Sequence, residues 1–169
     1  MSTKPPEQGE ALGLSAPERL GKHHDLSQFD CNEPSINDYV QKAHKQAAYK
    51  NAVIYVVCEA GTNIVKGFYT LSSGSVIRNE APKNMARFSL NEIPVTILGR
   101  LGVDVRYQGK GVGLDLLQDA LERAISASEI IGSRAVLIHA LTPALAAYYK
   151  KHAGFKESPI TPLTLFLSL

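Results

Sequence analysis

The sequence has few cysteines, little net charge and no long apolar run, and each shortage excludes a class of protein. Two cysteines, Cys31 and Cys58, are too few for a disulfide framework and lie apart from histidines at metal-ligand spacing. We therefore expect a reducing, cytoplasmic setting and no metal. The net charge of +2 is far below that of a protein that coats nucleic acid. No stretch approaches the roughly 18 apolar residues of a membrane-spanning helix, so we expect no membrane partner.

The length and composition fit one globular domain. The chain has 169 residues, of which 44% are hydrophobic and 20% charged. Residues 1–17 are rich in Pro, Gly, Glu and Ser and lack the apolar run of a signal peptide. We expect a flexible N-terminal tail over 1–17 and a single domain over 18–169.

The apolar periodicity predicts a mixed α/β order: helix, β-hairpin, strand, helix, strand, helix, strand. The predicted helices cover 34–51, 113 onward and 143–153, and the predicted strands cover 52–60, 64–76, 95–105, 135–140 and 163–169. The polar composition of residues 77–94 predicts a loop or a short irregular insertion. Thr142-Pro143 is typical of a helix start, and Gly154 is typical of a helix end.

Three glycines, Gly109, Gly111 and Gly113, separate the third strand from the following helix. Backbone N–H groups that converge at a helix start can hold a phosphate or pyrophosphate. The Walker A pattern fails because Lys110 is not followed by Ser or Thr, and the dinucleotide pattern fails because Leu114 replaces its third glycine. From the loop alone, a tight turn without a ligand remains the alternative.

Residues 100–113 resemble the acyl-CoA signature of the GNAT N-acetyltransferase superfamily, in which Gln/Arg-x-x-Gly-x-Gly/Ala opens the helix that carries the CoA pyrophosphate. Gln108, Gly111 and Gly113 occupy its three defined positions. The resemblance implies a GNAT fold, with a mixed and mostly antiparallel sheet flanked by helices and a V-shaped splay at the acetyl-CoA site. It implies that acetyl-CoA is held by Leu101, Val103, Val105, Gln108, Gly109, Lys110, Gly111, Val112, Gly113 and Leu114.

Four further segments, residues 24–31, 67–72, 98–101 and 136–141, resemble the GNAT toxins of bacterial type II toxin–antitoxin pairs. Such a toxin acetylates the α-amino group of aminoacyl-tRNA and stops translation, is neutralised by a ribbon-helix-helix antitoxin, and is commonly a homodimer. The resemblance implies the same here. Two alternatives remain: a GNAT enzyme acting on a small amine or protein lysine, and a CoA-binding regulatory partner of a DNA-binding antitoxin without turnover.

Acetyl transfer from a thioester needs a proton for the departing thiolate. The resemblance places the family's general acid at Tyr149 of the last helix, with Tyr148 replacing the usual Phe. Gly154 follows Tyr149 by five residues instead of the family's four. Either the helix end bulges around Ala153, or the register shifts by one and Tyr148 becomes a candidate for the acid. We expect Asp104 to be structural and His139 to be a core histidine.

Six basic residues against three acidic ones lie between residues 78 and 110. We expect Arg78, Lys83, Arg87 and Arg100 to contact tRNA phosphates, which are contacts that position a nucleic acid without reading its sequence. Arg100 is the strongest candidate, because a charge within an apolar strand usually needs a role or a partner.

Overall fold

The structure is a computed structural model that describes residues 12–169, so most of the predicted tail lies outside the described residues. Seven strands form a sheet in the order β1-β2-β3-β4-β5-β7-β6. They are β1 (Glu18–Arg19), β2 (Val53–Cys58), β3 (Val65–Ile77), β4 (Glu92–Val103), β5 (Ala135–His139), β6 (Lys156–Glu157) and β7 (Thr164–Ser168). The sheet is mixed and mostly antiparallel, which confirms the predicted fold class.

Five α-helices are present in residues 12–169: α1 (Pro34–Gln41), α2 (Ala43–Ala48), α3 (Lys83–Ala86), α4 (Val112–Ser128) and α5 (Pro143–Ala153). Short 3-10 turns cover Arg78–Glu80 and Val105–Tyr107. No helix in this part of the chain is long and apolar enough to cross a membrane. The described chain divides into two compact units, 12–71 with 100–120 and 72–99 with 121–169.

The first unit contains the predicted hairpin. β2 and β3 pair antiparallel from Val53↔Leu71 to Cys58↔Val65, and Gly61 in the connecting turn has φ +76°. A positive φ costs glycine little because it has no Cβ. The hairpin prediction is confirmed, and the two-residue strand β1 adds to its edge through Glu18↔Val56 and Arg19↔Tyr55.

The prediction of one helix over residues 34–51 is wrong. The helix breaks at Lys42, whose φ and ψ are −107° and 2°, and whose N–H bonds to the Tyr39 carbonyl three residues back at 2.9 Å. The i→i−3 bond tightens the chain and starts a separate helix. The apolar stripe is continuous across the break, since Val40 and Ala43 are both buried at 1% exposure, and the apolar spacing therefore gave no sign of it.

Helix α1 packs unusually close to the sheet at Gly102 of β4. A Cβ added there would lie 2.9 Å from Ile36 Cγ2, 3.0 Å from Phe68 Cε1 and 3.3 Å from Phe29 Cζ. These aromatic and aliphatic side chains belong to the core cluster of this unit or pack against it. Glycine at this position allows α1 to approach the backbone of β4.

The second unit is organised around a parallel strand pair. β4 and β5 pair from Val95↔Ala135 to Leu98↔Ile138, and β7 then pairs antiparallel with β5 and with β6. Its core combines Val76, Met85, Ile93, Leu137 and Phe166. The segment predicted as a loop at 77–94 carries α3, which is anchored because Met85 is buried.

Both ends of α5 follow the sequence prediction. The Thr142 hydroxyl accepts from the Leu145 N–H at 3.1 Å, Pro143 is the first helical residue, and Gly154 ends the helix with φ +74°. Strand β4, by contrast, starts three residues before the predicted Val95 and ends two before Val105. The sequence does not predict strands β1 and β6, because a two-residue strand is too short to show alternating apolar and polar residues.

The described part of the predicted tail is packed against β2. Leu14 is 3% exposed and bridges to Glu59, and the Ser15 N–H donates to the Cys58 carbonyl at 2.8 Å. Leu14 and Ser15, which the prediction places in the tail, are therefore held against this part of the first unit. The Pro- and Ser-rich composition of this segment gave no indication that Leu14 is buried.

We predict that Gly102→Ala lowers the free energy of unfolding by about 1–3 kcal/mol, because its Cβ overpacks the contact between α1 and β4. Gly132→Ala is the matched control, since its Cβ would meet nothing within 4 Å. It should change the unfolding free energy by less than about 0.5 kcal/mol. Urea unfolding of both variants measures the difference, and equal stability would contradict the close approach.

Candidate active site

The end of β4 is anchored by the buried carboxylate of Asp104, which is 2% exposed. It accepts from the N–H groups of Arg106 at 3.1 Å and Asp30 at 3.3 Å, and it lies 3.9 Å from the buried ammonium of Lys66. A buried charge is stable only when partners compensate it. The geometry supports the structural role expected for Asp104, and it fixes the point at which the glycine loop begins.

Gln108 holds the loop from its other side. Its side-chain Nε2 donates to the carbonyl of Cys31 at 2.9 Å and to that of Val103 at 2.8 Å. Both amide N–H groups are therefore used within the protein, and the side chain positions the loop. A ligand that contacts Gln108 would therefore bind to its backbone or to its side-chain oxygen.

The glycine loop turns directly into α4. Gly109 and Gly111 have φ values of +72° and +84°, a region that residues with a Cβ rarely adopt. The Asp115 N–H bonds to the Gly111 carbonyl at 3.2 Å, so the N–H groups of Val112, Gly113 and Leu114 precede the first helical bond. These groups lie at the positive end of a 17-residue helix.

The loop also fits a pyrophosphate by shape and charge. A Cβ at Gly109 would meet nothing within 4 Å, so the space beside it is open. Lys110 is exposed and adds a cation to the oriented N–H groups. The residues present therefore suit the phosphate end of a CoA molecule.

Leu101 and Val103 face the helix start from β4. Their side chains lie 4.0 and 3.9 Å from the position of a Cβ at Gly113. The Val103 carbonyl and the Val105 N–H are already bonded, to Gln108 at 2.8 Å and to the Asp30 carbonyl at 2.8 Å. A pantetheine arm that binds to Val103 and Val105 would therefore contact backbone groups other than these two.

In the second unit, the predicted acid Tyr149 is buried in α5 at 7% exposure. Its ring lies 6.1 Å from Phe155 and 6.2 Å from Tyr148, centroid to centroid. Burial, with a smaller contribution from Tyr148, raises the Tyr149 pKa above its ordinary value of 10.0. The hydroxyl is therefore protonated at neutral pH, as a proton donor must be.

The extra residue before Gly154 produces no bulge. Helix α5 continues through Ala153 to the Gly154 cap. Tyr148 lies on the exposed side at 38% exposure, with its ring 4.5 Å from His152. Without the bulge both tyrosines remain candidates for the acid, and they differ in burial, since Tyr149 is buried and Tyr148 is exposed.

The four predicted phosphate contacts divide between the units. Arg78, Lys83 and Arg87 lie on the 72–99 segment and are exposed, whereas exposed Arg100 belongs to the first unit. Arg78 also closes its own loop, since its guanidinium donates to the Ser89 carbonyl and its N–H donates to the Asn91 carbonyl at 3.0 Å. The structure thus does not gather the four into one unit.

Two residues were misjudged or missed from the sequence. His139 is exposed at the end of β5 and not in the core, and its Nδ1 lies 3.0 Å from the Thr164 hydroxyl. Lys66, the buried partner of Asp104, was overlooked. The reasoning applied to Arg100, a charge within an apolar strand, would also have found it.

Comparison with known proteins assigns the family. The Acetyltransferase (GNAT) family matches residues 24–155 of this chain. A Mycobacterium tuberculosis protein described as a tRNA-acetylating toxin is 41% identical over 159 residues, which are 92% of each chain.

Solved structures agree with this match. AtaT complexed with acetyl-methionyl-tRNAfMet superimposes with a TM-score of 0.83 at 29% identity, over 92% of this chain and 94% of that one. A tyrosine-to-phenylalanine mutant of AtaT bound to the C-terminus of the antitoxin AtaR and acetyl-CoA gives a TM-score of 0.74 at 27% identity, over 92% of each chain. The glycine turn, the fold and these similarities lead to one conclusion: the chain belongs to the GNAT acetyltransferase family.

Proposed function

We propose that this chain transfers the acetyl group of acetyl-CoA to the α-amino group of aminoacyl-tRNA, and that it is the toxin of a toxin–antitoxin pair. The observation that carries the proposal is the 41% identity, over 92% of both chains, to a protein described as a tRNA-acetylating toxin. The solved AtaT complex with acetyl-methionyl-tRNA supports the same substrate class. The proposal treats residues 18–169 as one acetyltransferase domain.

Acetyl-CoA supplies an acetyl group that is already activated as a thioester. In the proposal its pyrophosphate is held by the N–H groups of Val112, Gly113 and Leu114 and by the Lys110 ammonium. The support is the positive φ of the preceding glycines and the dipole of α4. Gln108 and Asp104 keep this turn in place before the ligand binds.

Tyr149 is the proposed proton donor. Forming an amide releases a thiolate, and protonating that leaving group lowers the barrier. The burial of Tyr149 in α5, the helix in which the family resemblance places the acid, supports this role, and the phenol carries a proton to donate at neutral pH. An exposed tyrosine such as Tyr148 lacks this environment.

The basic side chains provide the proposed contacts to tRNA. Lys83, Arg87 and Arg100 are exposed cations suited to backbone phosphates. Arg78, whose guanidinium already bonds to Ser89, has further N–H groups for a phosphate.

The proposal includes an antitoxin of the ribbon-helix-helix type, a homodimer and a cytoplasmic site of action. The antitoxin is supported by the solved complex of AtaT with the C-terminus of AtaR. The cytoplasm follows from the proposed substrate, since charged tRNA is used there. Light scattering of the purified protein, with and without its antitoxin, measures both assemblies.

The function is tested by incubating the purified chain with acetyl-CoA and a panel of charged tRNAs. Mass spectrometry of the released aminoacyl group should show N-acetylation for at least one tRNA. Free amines and a lysine peptide serve as parallel substrates. Acetylation confined to those, or no acetylation at all, would refute the proposed substrate.

We predict that Tyr149→Phe lowers kcat for tRNA acetylation by about 100-fold or more, because the proton donor is lost. The acetyl-CoA Kd, measured by calorimetry, should stay within about twofold, since the hydroxyl is not assigned to binding. Tyr148→Phe is the control and should retain near-normal kcat. The reverse ranking of the two variants would assign the acid to Tyr148.

The same variant tests the raised pKa of Tyr149. Burial disfavours the phenolate, so the wild-type minus Tyr149→Phe difference in phenolate absorbance should titrate above pH 10.0. Consequently, the alkaline loss of kcat that deprotonation of this acid causes should have its midpoint above pH 10.0. A difference titration at or below the ordinary tyrosine pKa would contradict the buried environment.

We predict that Gly111→Ala weakens acetyl-CoA binding about tenfold, because alanine at φ +84° strains the loop by roughly 1–2 kcal/mol. Gly113→Ala is the matched control. Its Cβ would make only ordinary contacts, at 3.9 and 4.0 Å. Its Kd should change by less than about threefold, which corresponds to about 0.65 kcal/mol. Equal losses in the two variants would argue against the turn geometry.

A further inference from the structure

Tyr39 and Arg100 form a stacked pair in the first unit. The Arg100 guanidinium lies 4.7 Å from the centroid of the Tyr39 ring. The Tyr39 ring also lies 6.3 Å from the Phe68 ring, centroid to centroid, and within 6° of parallel to it. Half-buried Tyr39 therefore contacts both a core residue with 1% exposure and an exposed cation.

Both halves of the pair are held in place before any ligand binds. Tyr39 lies on α1, and α1 is drawn against β4 by the missing Cβ of Gly102. The Arg100 N–H donates to the hydroxyl of Thr70 at 3.0 Å, and Thr70 is 4% exposed. The guanidinium thus rests on a fixed aromatic surface and extends from a fixed backbone.

The charge of Arg100 is available to an anion. Among residues 12–169 it forms no ion pair with a carboxylate. A guanidinium stacked on a ring keeps its N–H edges open, and these edges match the oxygens of a phosphate. Because contact with the Tyr39 ring restricts the rotamers of the Arg100 side chain, that side chain loses less conformational entropy when it binds an anion.

Arg100 also lies on the strand segment assigned to acetyl-CoA, but on its opposite face. Successive side chains of a strand alternate between faces. Leu101 and Val103 face the start of α4 at Gly113, whereas Gly102 faces Ile36 of α1. Arg100 shares the face of Gly102, so it is placed to meet a second substrate without competing for the groups assigned to the first.

We propose that Tyr39 is a positioning residue: its ring holds the Arg100 guanidinium in the orientation that binds a phosphodiester of the RNA substrate. This inference rests on the proposed function, because it takes the anion to be part of charged tRNA. Tyr39 acts through its ring face and through Arg100. Its hydroxyl has no part in the interaction.

The test is a double-mutant cycle on the full-length chain, read out as the Kd for charged tRNA at several salt concentrations. Tyr39→Leu should weaken binding roughly two- to fivefold, the range of an exposed cation–π contact. Arg100→Gln should reduce the slope of log Kd against log salt by about one phosphate contact. In the Arg100→Gln background, Tyr39→Leu should have no further effect.

Three comparisons separate positioning from a general loss of structure. Tyr39→Phe keeps the ring and should restore tRNA binding. Tyr49→Leu removes a tyrosine that is 71% exposed and outside the stack, and it should leave the tRNA Kd unchanged. The acetyl-CoA Kd should be the same for wild type and Tyr39→Leu, which shows that the unit remains folded.

Additive losses from Tyr39→Leu and Arg100→Gln would overturn the inference, as would a loss in Tyr39→Phe equal to that in Tyr39→Leu. Wild-type protein that fails to bind tRNA would also overturn it. The acetylation assay is separate. A chain that binds tRNA with the predicted coupling but acetylates none would refute the proposed activity and leave the positioning role intact.

Discussion

The buried pair of Asp104 and Lys66 is the interaction on which the candidate site depends. Asp104 stands where β4 ends, and its carboxylate fixes the N–H groups of Asp30 and Arg106 as well as the Lys66 ammonium. Removing one partner would leave a buried charge uncompensated, at a cost of about 3–5 kcal/mol. The glycine loop starts at this turn, so the contacts of Asp104 set the direction in which the loop leaves β4. The hydrogen bonds of Gln108 to Cys31 and Val103 then hold the loop in place.

The proposed reaction needs a group that binds a phosphate and a group that donates a proton, and the two lie in different environments. Oriented backbone N–H groups with an exposed lysine suit a phosphate, and glycine is needed there because φ is positive. The proposed proton donor lies in a different environment. Tyr149 is buried with the rings of Phe155 and Tyr148 nearby, and burial raises the pKa of its phenol.

The predictions that held concern short segments. The turn of the β2–β3 hairpin, the Thr142 cap and the Gly154 end each depend on residues within a few positions of one another. The failures lie where tertiary contacts set the outcome. The break at Lys42 falls within an uninterrupted apolar stripe, and α3 forms in a polar segment because buried Met85 anchors it. His139 was assigned to the core from an apolar strand, yet it is the exposed last residue of β5.

The sequence by itself determined the glycine turn, the helix that follows it and the family resemblance, because these depend on neighbouring residues and on backbone conformations that few residue types can adopt. Only the tertiary structure showed that Gln108 bonds to Cys31, that Lys66 lies beside Asp104 and that the Arg100 guanidinium lies over the Tyr39 ring. The partners in these contacts are separated by tens of residues. Folding brings them together through the packing of α1 and β3 against β4, and no local pattern in the sequence records that packing.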